Sequence, residues 1–115
     1  MTLKGFYEEI GGDYEGVFDR IGSEELIVKY LKKFRDSDML GKFSQSAEEG
    51  DCKEAFRHMH SLKGLCLNLG LNELFKSVDV VCEALRDKTE VNLSGLPLDE
   101  LKTSYDEVLN LTDEL

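Results

Sequence analysis

Apolar residues recur along this chain at steps of three and four nearly from end to end, and the interruptions fall at glycine, proline and capping residues. In Thr2 to Ile10, Leu3, Phe6 and Ile10 share one side, which predicts a short helix that Gly5 weakens by about 1 kcal/mol relative to alanine. Gly11 and Gly12 end it. Asp13 then caps a second short segment, with Tyr14, Val17, Phe18 and Ile21 at helical spacing. Ser23 opens a third helix, running to about Asp36, with Leu26, Ile27, Tyr30, Leu31 and Phe34 inward. Its charges follow the helix dipole: Glu24 and Glu25 lie in the first turn, while Lys29, Lys32, Lys33 and Arg35 gather toward the end. Ser37 or Asp38 starts Met39 to Glu49, with Leu40, Phe43 and Ala47 inward, and Gly50 closes it.

The most informative stretch is Asp51 to Gly70. At 100° per residue, Cys52, Ala55, Met59, Leu62, Leu65, Cys66 and Leu69 form one apolar stripe, the side a helix buries. Asp51 can cap the first turn with Glu54 as its capping-box partner, and Gly70 stands where helices commonly end in the left-handed conformation. His60 falls roughly opposite the stripe. Arg57 and Gly64 lie on one flank of it, with Phe56, Lys63 and Leu67 on the other. The pattern therefore predicts an imidazole turned outward, with a cation one turn on and a missing side chain beside it.

Beyond Gly70, Asn72 to Asp87 places Leu74, Val78, Val81 and Leu85 on the seam of two packed helices, antiparallel to the preceding one. Lys88 to Leu96 reads as a loop. Pro97, Asp99 and Glu100 suit the first turn of a final helix whose Leu98, Leu101, Tyr105 and Val108 repeat the seam. Hairpin signals and sustained period-two alternation are absent. The expected fold is all-α: an antiparallel four-helix bundle with one or two additional short N-terminal helices, forming a single domain over residues 1–115.

Composition narrows the function. A chain of 115 residues is long enough for one core without covalent staples. Its three cysteines, Cys52, Cys66 and Cys82, all occupy apolar helical positions, so buried thiols in a reducing cytoplasm are expected rather than disulfides. No apolar run approaches the ~20 residues a membrane span needs, and Met1 to Ile10 lacks a signal-peptide pattern, so a soluble cytoplasmic protein is expected. The formal charge of −10 argues against nucleic acid, whose binding needs clustered Lys and Arg. It also makes any cation near His60 more important to a bound anion. No Gly-rich nucleotide loop or Walker lysine motif is present. His58, about 200° around the helix from His60, points toward the core edge; a His-x-His metal pair is excluded on a regular helix, and His58 reads as structural.

His60-Ser61-Leu62-Lys63-Gly64, followed by Asn68-Leu69-Gly70 and Leu74, resembles the signature of histidine-containing phosphotransfer (HPt) domains. The glycine ten residues after the histidine and the upstream run GGDYEGVFDRIGSEELIVKYLKKF add to the likeness, which spans Ile10 to Leu85. The resemblance implies a phosphorelay intermediate without an ATP site, in which His60 accepts a phosphoryl group from the aspartate of a receiver domain and donates it to another. It implies that the partners are receiver domains, those of hybrid histidine kinases among them, and that the segment from Tyr14 is lid-like. No cofactor is expected on this chain; Mg²⁺ is expected on the partner receiver.

The residue types suit that chemistry. Phosphoryl transfer asks a protein for positioning and charge neutralisation, and an imidazole is nucleophilic near neutral pH. Lys63 at i+3 is the candidate for neutralising the phosphoryl oxygens, Gly64 at i+4 for letting a partner approach the backbone, and Arg57 for assistance. Phe56 and Leu67 are candidates for the docking surface. In the domains it resembles, a Gln or Glu often orients the histidine ring from the position occupied here by Cys82, a poor substitute; Asp79 and Glu83 fall on flanks of the heptad, which leaves the holding of the ring open. The alternative is a helical adaptor that kept the bundle and lost the chemistry. A monomer is expected.

Overall fold

A computed structural model describes residues 1–115 as seven α-helices joined by turns, without strands. They are α1 (Leu3–Glu9), α2 (Tyr14–Ile21), α3 (Glu24–Asp36), α4 (Met39–Glu48), α5 (Cys52–Leu69), α6 (Asn72–Leu85) and α7 (Leu98–Thr112). Four begin at a capping side chain, and the sequence points to three of them, Asp13, Ser23 and Asp51. Thr2, Asp13, Ser23 and Asp51 each accept a hydrogen bond from the backbone N–H three residues on, at 3.0, 3.0, 3.3 and 3.1 Å. Only half of the expected capping box at Asp51 forms, because the Glu54 side chain turns to Arg57 instead. At α4, Asp38 is the cap residue in the left-handed conformation but makes no side-chain cap bond. Pro97 stands at the cap of α7 rather than inside its first turn, and α6 ends at Leu85, where Arg86 becomes extended.

The longest helix, α5, is the axis. It packs along α4 on one side and antiparallel to α6 on the other, and α7 runs back along α6. The fourth corner is divided: α4 lines the first part of α5, with Met39 and Lys42 facing the groove beside Ser61 and Leu65, while Tyr30, Lys33 and Phe34 of α3 face Leu65, Asn68 and Leu69. With α1 and α2 as short additions at the N-terminus, this is the expected bundle, 42 × 23 × 21 Å. Cys52, Ala55, Met59, Leu62, Cys66 and Leu69 are buried on the α5 stripe, and all three cysteines are free thiols in the core. Leu65 is only half-buried. Leu26 and Tyr30, expected inward, are each 40% exposed, because α3 sits at a corner and fully buries only Ile27, Leu31 and Phe34. No helix is long and apolar enough to cross a membrane.

The end of α5 is tied to the N-terminal helices. Tyr7 Oη donates to Leu69 O at 2.7 Å, Asp13 N donates to Gly70 O at 3.0 Å, and Arg20 Nη2 donates to Leu67 O and Asn68 O at 3.0 and 3.1 Å. These bonds satisfy carbonyls that a helix end leaves without partners. Gly70 is required there twice over: its φ is +66°, and a Cβ would overlap Val17 Cγ2 and approach Asp13 O to 2.9 Å.

Candidate functional site

The face of α5 opposite its buried stripe carries His60, which is exposed while Met59 and Leu62 on either side of it are in the core. The imidazole makes no hydrogen bond within the chain, so no side chain holds the ring through a nitrogen. Its neighbour is Phe56, one turn earlier, with ring centroids 5.6 Å apart and planes inclined at 31°. Phe56 is half-buried against the core and is covered by the Arg86 guanidinium, 5.1 Å from its centroid.

Lys63, one turn after His60, is engaged from α6. Its Nζ lies 2.6 Å from Asp79 Oδ1 and 3.2 Å from Glu83 Oε1. The two carboxylates together raise the lysine pKa. Glu83 in turn accepts from Arg86 Nε at 2.9 Å and Nη2 at 3.0 Å, and Arg86 first and Lys63 second bring its carboxyl down to about 2. A chain of contacts therefore runs from His60 through Phe56, Arg86 and Glu83 to Lys63. Asp79, Glu83 and Arg86 recur at i, i+4 and i+7 of α6. That spacing is visible in the sequence as one charged line, but the heptad alone did not show that it faces Lys63.

On the other flank Arg57 is bound by Glu54, with Nη2 to Oε2 at 2.6 Å, and extends into solvent. Gly64 lies over open space: a Cβ there would meet no atom within 4 Å. Nothing in the chain's own packing requires glycine at this position. It lines a shallow groove of about 610 Å³ between α4 and α5, with Lys42, Arg57 and Ser61 along its sides. Leu67 is 55% exposed, so the two apolar docking candidates differ: Leu67 is open to a partner, and Phe56 is partly covered. His58 is turned away from His60, half-buried, with Nε2 3.7 Å from Glu54 Oε2.

Cys82 is fully buried. Burial pushes its thiol pKa up, with the Lys63 ammonium pulling weakly the other way, so it is a neutral core residue rather than a ligand or ring-orienting group. No three His, Cys, Asp or Glu side chains gather closely enough to hold a metal ion.

The chain is thus an all-helical bundle that presents a lone imidazole on the outside of its longest helix, open to solvent rather than enclosed in a cavity. The family model of the Hpt domain matches residues 29–111, most of the chain, and the chain belongs to that family. Hpt domains are histidine phosphotransfer intermediates of phosphorelays, without kinase activity of their own, and they work with receiver domains. The match includes most of α3 and all of α4 to α6, reaches into the last turn of α7, and leaves α1 and α2 outside. No curated protein and no solved structure matches the chain.

Proposed function

We propose that His60 is the phosphoryl carrier of a relay, accepting the group from the phosphorylated aspartate of one receiver domain and donating it to another. The observation that supports this most directly is the exposed, unbonded imidazole on α5, with Lys63 one turn on and unoccupied space above Gly64. A ring nitrogen lone pair attacks phosphorus in line, the P–N bond forms, and the electrons of the breaking P–O bond return to the receiver carboxylate. The reverse step delivers the group to the next aspartate. The phosphoramidate is high in energy, so the group is passed on rather than retained.

In this reading Lys63 is the cation one turn from the phosphoryl group, Gly64 admits the edge of the receiver's active site to the α5 backbone, and Arg57 assists from the flank. Leu67 and the uncovered edge of Phe56 supply apolar contact in a transient interface. Mg²⁺ is bound by the receiver and not by this chain. Residues 1–115 act as one domain, as a monomer, in the cytoplasm where receivers are found.

Incubation with a phosphorylated receiver and Mg²⁺ tests the assignment. Label should move to this protein, and His60→Gln should abolish it with the helical signal intact. Label that persists in His60→Gln refutes the role of His60.

A further inference from the structure

The cation expected to greet the phosphoryl group is not free to do so. Lys63 Nζ is ion-paired with Asp79 at 2.6 Å and donates a hydrogen bond to Glu83 at 3.2 Å. Asp79 is the closer carboxylate and bonds to no other side chain, whereas Glu83 divides its oxygens between Lys63 and Arg86. Counting Arg86, two cations and two anions stand on this flank, so the local charge near His60 is close to zero before any phosphoryl group arrives.

We propose that Asp79, supported by Glu83, is a positioning residue that holds Lys63 back from the phosphorylated ring and thereby keeps the phosphohistidine short-lived and ready to transfer. This inference rests on His60 being the carrier. Its physical basis is the difference between the bound group and the group in transit. The phosphoryl dianion on histidine carries one negative charge more than the metaphosphate-like unit of a loose transition state. A cation resting on the oxygens therefore stabilises the ground state more than the transition state and lengthens the life of the P–N bond. A carboxylate pair that competes for the same ammonium has the opposite effect. In the spontaneous reaction water supplies oxygen to phosphorus, the P–N bond breaks, and the water proton goes to the ring nitrogen, leaving neutral imidazole and hydrogen phosphate. In the productive reaction a receiver carboxylate replaces water, the P–N bond breaks, and the ring leaves as neutral imidazole because its other nitrogen already carries a proton. Both proceed faster from a ground state that lacks its cation.

The full chain can be phosphorylated with potassium phosphoramidate, a small donor that needs no receiver, and the decay of phosphohistidine followed by ³¹P NMR. Asp79→Asn should lengthen the half-life by about threefold or more, the size of one released ion pair, and Asp79→Glu should restore the wild-type value. In Lys63→Ala the same Asp79→Asn change should have no effect, which separates release of the ammonium from loss of a nearby negative charge. The proposal is overturned by a half-life that Asp79→Asn leaves unchanged, by an equal lengthening in both backgrounds, or by a protein that takes no phosphoryl group on His60 from phosphoramidate. Labelling by phosphoramidate together with no labelling by any receiver refutes the relay reading and leaves the Asp79 effect measurable.

Discussion

Gly64→Ala should make the protein more stable and the relay slower, an opposition that few substitutions produce. Gly64 lies inside the 18-residue helix α5, where glycine costs roughly 0.5–1 kcal/mol relative to alanine through its backbone entropy. The new methyl meets no atom within 4 Å. No clash offsets the gain, and no packing adds to it. For 115 residues the unfolding entropy is about 0.24 kcal/mol/K, so a gain near 1 kcal/mol raises Tm by about 4 °C. In transfer the same atom stands one turn from His60, in the space proposed for the receiver. Alanine should slow transfer modestly and Gly64→Leu by about a hundredfold, the order expected when reacting groups are displaced by an ångström. Thermal unfolding and single-turnover transfer from a phosphorylated receiver measure the two effects on the same samples. A Tm that falls in Gly64→Ala would show that the glycine serves packing, and wild-type transfer by Gly64→Leu would show that no partner approaches there.

Two further outcomes follow from the geometry. Gly70→Ala should destabilise by about 2–4 kcal/mol in urea unfolding, because its Cβ meets Val17 and Asp13 O and its φ is +66°; a loss below about 1 kcal/mol contradicts the close crossing of α5 and the α1–α2 turn. Glu83 makes a contribution with a defined pH window: Arg86 and Lys63 bring its carboxyl from 4.5 down to about 2 in the folded state, so its ion pairs stabilise the fold above about 4.5 and that stability is lost as pH falls through about 2. Glu83→Gln should flatten stability against pH between those limits, and an unchanged slope there would place the pairing elsewhere.

The helices, the caps at Asp13, Ser23 and Asp51 and the outward placement of His60 were legible in the residues, because helical period and capping chemistry are local: Ser23, Asp51 and Gly70 act within one turn of themselves, and the α5 stripe needs only a partner of any kind to be buried. Gly64 was legible as a bare patch, though not as one over open space. Three things were decided only by the tertiary structure. Leu26 and Tyr30 lie at the edge of the α3 stripe, and whether an edge is covered depends on how many neighbours a corner helix meets. Gly70 looks in the sequence like a helix stop, yet it is also the point where the turn after α1 crosses within reach of the α5 carbonyls. Lys63 reads as a free cation beside the histidine until α6 is set at its rotation and height. Asp79 and Glu83 then meet the ammonium, because charges sixteen and twenty residues apart interact only when two helices have been packed against each other.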